Sequence, residues 1–141
     1  MSEATTLGGD RVARRVLRAR WRDLDPLGHV NTAVFLTYLE EVRDAWLVET
    51  FGPGFRPENY VVARVELDFR HEIVHGQEFE ALCRLAAVGR RSITTHEELR
   101  GADGTLLAEA TVVIVLWQAD ARSSRPLTAE EHARLAAGEG T

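Results

Sequence analysis

The sequence predicts an α+β fold in which one long central helix is wrapped by a five-stranded antiparallel sheet. Apolar residues recur at helical spacing from Thr32 to about Thr50, and they alternate with polar residues in five other segments. The predicted order is one strand, the helix and then four strands in a meander, which suits a helix buried against one sheet. With 141 residues, a single domain over 11–141 is expected, preceded by a flexible tail over 1–10.

The first predicted strand precedes a dense polar turn. Leu17, Ala19 and Trp21 share one face of this strand, with arginines between them. The turn runs from Asp23 to Asn31 and contains two aspartates, a proline, a glycine, a histidine and an asparagine. The turn is therefore expected to lie against the N-terminus of the helix, where free backbone N–H groups meet the positive end of the helix dipole.

The predicted helix begins at Thr32. Its main apolar stripe is formed by Phe35, Leu39, Val42 and Trp46. Further apolar residues widen the stripe to most of the circumference, so the helix is expected to be buried. A Gly-Pro-Gly run over residues 52–54 predicts that it ends near Phe51.

Four strands are predicted after the helix. The segment 60–73 alternates, and its expected buried face carries Val61, Ala63, Val65, Leu67, Phe69 and Ile73. Turns are expected around 75–77, 89–92 and 101–104. The last strand, over 106–117, is apolar on both faces and should be central or covered on both sides, in part by another subunit. Thr128 and Glu131 then predict a capping box that opens a short final helix.

Composition narrows the possible functions. The net charge of −5 argues against nucleic-acid binding. All 17 basic residues are arginine, which excludes Schiff-base chemistry and a P-loop lysine. The sequence contains no apolar run long enough to span a membrane, and its first residues contain no apolar signal-peptide core. A cytoplasmic location is therefore expected.

The sequence contains few of the common catalytic or metal-binding patterns. It has no G-x-S-x-G elbow and no G-x-G-x-x-G loop. His71 and His75 are four residues apart but at a strand end, where this spacing does not bring side chains together, so no metal site is expected. The single cysteine, Cys83, falls in a buried series and is expected to be inert.

Asp25, His29 and Asn31 remain as candidate functional residues ahead of the helix. A carboxylate beside a helix N-terminus suits attack on a carbonyl group. Asp25 would act as a nucleophile or as the base for water, and backbone N–H groups near Thr32 would polarise the carbonyl oxygen. Each residue also has an ordinary structural explanation, because Asp before Pro and Gly is common in turns and Asn is a common helix cap.

The run R-W-R-D-L-D-P-L-G-H-V-N-T-A-V-F-L-T-Y-L-E-E-V-R resembles the signature of hotdog-fold acyl-CoA thioesterases of the 4-hydroxybenzoyl-CoA thioesterase type. That pattern is D-x-D-x-x-G-H-V-N-N, an aromatic residue and a helix carrying E-x-x-R, here Glu40 and Arg43. The segments V-V-A-R-V-E-L-D-F-R and V-G-R-R-S also resemble the family, so the resemblance covers nearly residues 12–118. It implies the hotdog fold, whose order of elements agrees with the order derived above.

The resemblance implies a role for each matching residue. Asp25 stands at the catalytic carboxylate, and Asp23 would fix the loop. The N–H near Thr32 would hold the thioester oxygen, while His29 and Asn31 would orient substrate or water. A second set of residues stands where the family contacts CoA phosphates; these are Arg90, Arg91 and Ser92.

The sequence departs from the family pattern at two positions. Thr32 replaces the second Asn of the motif but keeps its backbone N–H, and Phe35 lacks the hydroxyl of the usual Tyr. Glu40 is an alternative carboxylate. It lies roughly 12 Å along the helix from Thr32, which favours a role in lining the substrate pocket.

The resemblance implies hydrolysis of an acyl-CoA thioester without a cofactor, by a homodimer or homotetramer whose active site lies between protomers. Two alternatives stay open. The protein could act on acyl chains bound to an acidic carrier protein, with the arginines over residues 14–20 forming a basic entrance. It could also bind acyl-CoA without hydrolysing it, since a fold does not fix a function.

Overall fold

A computed structural model of the chain describes residues 11–137. The predicted tail over 1–10 and the last residues of the predicted domain, 138–141, lie outside this range. The strands and helices are β1 (Val12–Arg18), α1 (Thr32–Phe51), β2 (Tyr60–Phe69), β3 (Glu78–Val88), β4 (Ser92–Gly101), β5 (Leu106–Gln118), β6 (Ser123–Ser124) and α2 (Ala129–Ala137). Short 3₁₀ turns occur at Trp21–Asp23 and Pro57–Asn59.

The strands form one antiparallel sheet in the order β1-β3-β4-β5-β2, and the two-residue β6 pairs with the end of β5. The predicted meander of four strands is therefore correct only for β3, β4 and β5. Strand β2 lies beside β5 at the far edge of the sheet instead of beside β3. Strand β5 is interior, as its two apolar faces predict.

A β-bulge at Ala63 changes the predicted faces of β2. Val62 pairs with Ile114 and Arg64 pairs with Val113, so Ala63 is the extra residue. The bulge places Val61 on the outer face of the sheet and Val62 on the face that carries α1, where simple alternation predicts the reverse. The strand is also more exposed than predicted, because it forms an edge.

Helix α1 has 20 residues and packs across β1, β3 and β4. Its predicted stripe is confirmed, since Phe35, Leu39, Val42 and Trp46 are all buried in the main core. The opposite side of α1 is exposed in the protomer, so the helix is less completely buried than its composition predicts. Trp21 was expected on the core face of β1, but it begins a 3₁₀ turn and is 78% exposed.

A buried ion pair fixes α1 to the middle of the sheet. The Arg43 guanidinium donates to both carboxylate oxygens of Glu97, over 2.8 and 3.0 Å. The Thr95 hydroxyl donates to Glu97 Oε2 over 2.6 Å, and Cys83 Sγ lies 3.9 Å from the same oxygen. The paired charges and added hydrogen bonds offset the cost of removing them from water. Burial, with the Glu97 charge nearby, raises the pKa of the Cys83 thiol.

The capping box predicted for the final helix is confirmed. The Thr128 N–H donates to Glu131 Oε1 over 2.8 Å, and the Glu131 N–H donates to the Thr128 hydroxyl over 3.0 Å. Helix α2 packs against α1 through Leu135, which is buried in the core. Neither helix in the described part of the chain is both long and apolar enough to cross a membrane.

Candidate active site

The polar turn before α1 forms a closed loop whose hydrogen bonds centre on Asp25. The Asp25 N–H donates to the His29 carbonyl over 2.8 Å, and Leu24 and Val30 form a bridge across the loop. Asp25 Oδ1 accepts the N–H groups of Leu27 and His29 over 2.9 and 3.3 Å. Within residues 11–137, Asp25 Oδ2 accepts no hydrogen bond. One oxygen of this half-buried carboxylate thus holds the loop, and the other can meet water or a substrate.

Asp23 connects the loop to α1 and to the end of β1. Its carboxylate is buried, and Oδ2 accepts the Tyr38 hydroxyl over 2.6 Å and the Arg20 N–H over 3.0 Å. Its carbonyl accepts the Asn31 N–H over 2.9 Å. Burial opposes ionisation of Asp23, but the hydrogen bonds from Tyr38 and Arg20 outweigh it, so the pKa of the carboxyl is lowered.

The first N–H groups of helix α1 lie next to this loop. Asn31 caps the helix, because its side-chain oxygen accepts the Ala33 N–H over 2.9 Å. The Val34 N–H donates to the Asn31 carbonyl over 2.9 Å. In the described part of the chain, the Thr32 N–H has no acceptor, as expected for the first residue of a helix. It is therefore available to bind an oxygen that carries negative charge.

His29 has a partner that the sequence did not predict. Its Nε2 lies 2.9 Å from Glu72 Oε1, and both side chains are about half exposed. A backbone bridge between His29 and Val74 brings Glu72 to the loop. Because 43 positions separate the two residues along the chain, no local pattern could have identified the pair. A carboxylate on the imidazole fixes the orientation of the ring.

The second predicted set, Arg90, Arg91 and Ser92, lies at the other end of the protomer. The loop of Asp25 adjoins the start of β3, since the Ala19 N–H donates to the Gln77 carbonyl over 2.9 Å. Arg90 follows the end of β3, and eleven residues of strand extend roughly 35 Å. Both arginines are exposed there, and Arg91 donates to the Ser124 hydroxyl over 3.1 Å. One protomer therefore does not bring this set to Asp25.

Two side-chain contacts join α1 to β2. Phe35 and Phe69 make an edge-to-face contact at one end, with ring centroids 5.1 Å apart. At the other end, the Tyr60 hydroxyl donates to Asp44 Oδ1 over 2.6 Å. Four residues of the two elements are exposed in the protomer; they are Leu36, Glu40, Val62 and Val65. Glu40 thus lies along the side of the helix, well past the loop that carries Asp25.

The arginines over residues 14–20 do not form an unopposed basic surface. Arg14 lies 3.4 Å from Glu80, and Arg18 lies 3.3 Å from Glu78. Arg20 lies 3.5 Å from Asp23. These carboxylates offset the positive charge that the carrier-protein alternative requires at this edge.

The outer face of the sheet carries one cluster that could hold a cation, formed by His96, Glu98 and Glu109 within the described residues. Glu98 is already bonded to His96 over 3.1 Å and to Arg100 over 2.8 Å. Glu109 accepts from Arg70 over 2.7 Å. A cation would have to replace two arginines that already neutralise these carboxylates, so the cluster fits an ion-pair network better than a metal site.

Known proteins resemble this chain in both sequence and fold. The family model for the thioesterase-like superfamily matches residues 19–135. A thioesterase from Thermus thermophilus, solved with coenzyme A and Zn, is 34% identical with a TM-score of 0.77, over 95% of this chain and 98% of that one. No protein in a search of curated proteins matches this chain.

Two more distant structures share the fold. A predicted thioesterase from Bacillus stearothermophilus is 22% identical with a TM-score of 0.80, over 89% of this chain and 94% of its own. A hypothetical protein from Staphylococcus aureus, solved in complex with CoA, is 13% identical with a TM-score of 0.81, over 99% of this chain and 89% of its own.

Proposed function

The chain belongs to the thioesterase-like superfamily, and from this premise we propose that it hydrolyses an acyl-CoA thioester to a carboxylic acid and CoA. The observation that carries the proposal is that the closed loop of Asp25 leads directly into the start of α1, where Thr32 is the first residue. Among residues 11–137, Asp25 Oδ2 and the Thr32 N–H have no hydrogen-bond partner, so a carboxylate oxygen and a backbone donor are available on adjoining segments. These are the two groups that attack on a thioester carbonyl requires.

In the proposed reaction, Asp25 Oδ2 takes a proton from water while the water oxygen attacks the carbonyl carbon. The carbonyl oxygen gains negative charge, which the Thr32 N–H and the positive end of α1 stabilise. The C–S bond then breaks and CoA leaves as a thiolate that takes up the proton. In the alternative route, Oδ2 attacks the carbon itself, CoA leaves, and water hydrolyses the resulting anhydride. His29, oriented by Glu72, and Asn31 would position the water or the substrate.

The proposed active site is completed by a second copy of the chain. Both edge strands carry charged side chains, but β2 has three exposed valines, spread over both faces, whereas β1 has one, Val16. Charged edges resist pairing, and apolar unpaired edges favour it. We therefore propose that two copies pair through antiparallel β2 strands around a two-fold axis. A homotetramer could then form through the outer sheet faces, where Val113 and Val115 are half-buried.

This arrangement explains how residues at opposite ends of one protomer could hold one CoA. An antiparallel β2 pair places the Tyr60 end of one copy beside the Phe69 end of the other. The 90–92 turn lies at the Tyr60 end, because Ser92 pairs with Val115 and Tyr60 pairs with Leu116, both near the end of β5. Arg90 and Arg91 of the partner subunit would therefore face the CoA bound near Asp25. Arginine suits this role because it binds phosphate oxygens through two hydrogen bonds.

The coenzyme A in the Thermus thermophilus thioesterase supports CoA as the thiol. The paired arginines of β1 favour CoA thioesters over thioesters of an acidic carrier protein. Binding without hydrolysis is the remaining alternative, and the experiment below distinguishes it.

The test is CoA release from a panel of acyl-CoAs by the wild-type protein and by Asp25→Asn. The asparagine keeps the Oδ1 acceptor that holds the loop but loses the base, so turnover should fall by about 10²- to 10⁴-fold. Asp103→Asn is the matched control, because Asp103 also accepts a backbone N–H in a turn, from Thr105 over 3.0 Å. Full turnover by Asp25→Asn would refute the assigned role. Binding of acyl-CoA without any turnover by the wild type would instead establish a binding protein.

A further inference from the structure

We propose that Arg122 binds the 3′-phosphate of CoA and so makes the protein select CoA thioesters over thioesters of thiols that lack this phosphate. The proposal rests on the thioester hydrolysis proposed above, and it assigns to that site a specificity-determining residue in the turn between β5 and β6. Arg122 lies outside the set of residues that the family resemblance implies for contact with CoA.

The backbone of Arg122 has a conformation that is costly for an arginine. Its φ is 53°, in the left-handed region, and the other residues of 11–137 with a positive φ are all glycine. A side chain disfavours this region because its Cβ comes too close to the following carbonyl oxygen, so a glycine would be preferred here. Residues held in such conformations are concentrated at functional sites. The strain therefore indicates that the arginine side chain has a function.

The strain arises in the tight turn that joins the last two strands. Strand β6 pairs with the last two residues of β5, so residues 119–122 close a hairpin. The Arg122 N–H donates to the Ala119 carbonyl over 3.3 Å. Strand pairing at the base of the hairpin and this hydrogen bond within it hold Arg122 in the left-handed conformation.

The Arg122 side chain is available to a ligand. It is exposed, and it forms no ion pair or side-chain hydrogen bond with any residue of 11–137. Arg125 is instead neutralised, since its guanidinium donates to the two carboxylate oxygens of Glu131 over 2.8 and 2.7 Å. Asp120 is the only acidic residue between Trp117 and Arg125, and no ion pair joins it to Arg122. Arg122 can therefore offer its positive charge to an anion.

A second arginine extends towards the same hairpin. Arg91 Nη1 donates to the Ser124 hydroxyl over 3.1 Å, and Ser124 is two residues from Arg122. Two residues of extended chain span at most about 7 Å, so the two arginines belong to one basic surface. Each guanidinium carries five N–H donors in a planar fork that matches phosphate oxygens. A phosphate group is therefore the ligand whose charge and geometry fit this surface.

The order of these arginines along β5 matches the order of the phosphates in CoA. Arg91 lies level with Leu116, whose N–H donates to the Arg91 carbonyl over 3.1 Å, and the hairpin turn lies beyond the end of β5. Arg122 is thus farther from the centre of the sheet than the 90–92 turn. In CoA, the 3′-phosphate is likewise farther from the sulfur than the pyrophosphate. Arg91 therefore fits the pyrophosphate, and Arg122 fits the 3′-phosphate.

The experiment measures the binding of CoA and of dephospho-CoA, which lacks only the 3′-phosphate, by calorimetry. Arg122→Ala should weaken CoA binding about tenfold, because a hydrogen-bonded contact between charges is lost, and it should leave dephospho-CoA binding unchanged. Arg122→Gly should weaken CoA binding equally. It should also raise the thermal unfolding midpoint by about 2–4 °C, since glycine relieves the strain. On octanoyl-CoA, both variants should raise KM with little change in kcat.

Arg84→Ala is the matched control, because Arg84 also forms no ion pair within residues 11–137 but lies in β3, away from the hairpin. It should bind CoA as the wild type does. If Arg122→Ala loses affinity for CoA and dephospho-CoA equally, or for neither, the proposal is wrong while thioester hydrolysis stands. If the wild type prefers CoA and Arg122→Ala loses that preference, but no acyl-CoA is hydrolysed, the phosphate contact stands and the proposed hydrolysis fails.

Discussion

The Tyr38 hydroxyl donates a 2.6 Å hydrogen bond to Asp23 Oδ2, and this bond ties the loop of Asp25 to the second turn of α1. Asp23 in turn accepts the Asn31 N–H through its carbonyl. Asp23 therefore supports the loop twice, through its buried carboxylate and through its backbone carbonyl. Tyr38 is therefore a positioning residue, which acts through Asp23 and need not contact the substrate.

Tyr38→Phe should lower the free energy of unfolding by about 2 kcal/mol, because it removes a buried hydrogen bond to a charged group. The folded-state pKa of Asp23 is lowered, so its stabilisation is present above the unfolded pKa and is lost as the pH falls. Without Tyr38 that pKa rises, and acid unfolding should begin at a higher pH. Denaturant titrations between pH 3 and 7 measure both effects.

Tyr60→Phe is the control for this variant, since it removes a Tyr–Asp hydrogen bond of the same length away from the loop. On short acyl-CoAs, kcat should fall in Tyr38→Phe and stay near wild type in Tyr60→Phe, with KM little changed in both. Equal losses of kcat in the two variants would show that Tyr38 acts through general stability alone.

The buried Arg43–Glu97 pair should be costly to break. Glu97→Gln leaves the Arg43 guanidinium without its charge partner inside the core, and we expect a loss of about 3–5 kcal/mol in the free energy of unfolding. The double variant Arg43→Met/Glu97→Leu should recover much of that loss. A single variant that is as stable as wild type would contradict the burial and pairing described for these two side chains.

Subunit mixing tests whether the proposed active site spans two protomers. We expect two variants to form weakly active dimers on their own. The first is Asp25→Asn, and the second is the double variant Arg90→Ala/Arg91→Ala. A mixed dimer would contain one site with an intact Asp25 and intact arginines from the partner subunit. Refolding the two variants together should therefore give more turnover than either alone. Turnover equal to the average of the two homodimers would show that Asp25 of one subunit and the arginines of the other do not act in one site.

Glu40 and Asp25 can be distinguished as candidate bases. If Glu40 only lines the substrate pocket, Glu40→Gln should keep kcat within a few-fold of wild type, and Glu40→Leu should improve kcat/KM for apolar acyl groups. A loss in Glu40→Gln as large as that in Asp25→Asn would move the chemistry from the loop to the helix. Steady-state kinetics on octanoyl-CoA provide the measurement.

Glu98 should contribute a defined pH dependence to stability. Its hydrogen bonds with His96 and then Arg100 outweigh burial and lower the pKa of the carboxyl from 4.5 to about 2. The stabilisation is therefore complete above pH 4.5 and is lost as the pH falls towards 2. The difference in unfolding free energy between wild type and Glu98→Gln, on the order of 2 kcal/mol at neutral pH, should shrink across that interval. A constant difference would show that ionised Glu98 is not stabilised.

Local patterns predicted the parts of the fold that depend on near neighbours. The start of α1 at the Asn31 cap, its end near Phe51 and the Thr128–Glu131 capping box all follow from contacts within four residues. The place of β2 beside β5 depends on partners far along the chain, and no alternation within β2 can specify it. The bulge at Ala63 likewise reverses faces that strict alternation would assign.

In the candidate site, too, features set by near neighbours could be predicted and features set by distant residues could not. The Asp23–Asn31 loop was recognisable because its turn residues are consecutive. Glu72 could not be found in this way, because it meets His29 only after the chain has folded. Arg90 and Arg91 matched a pattern, but their distance from Asp25 within one protomer could not be read from spacing.

The burial of Cys83 has a practical consequence for studying this protein. It is the only cysteine in the chain, it is fully buried, and its thiol pKa is raised. A thiol-reactive dye should therefore remain colourless with the native protein and respond only to the CoA that turnover releases. In denaturant the same dye should react with one equivalent per chain, so a single reagent can report both catalysis and global unfolding.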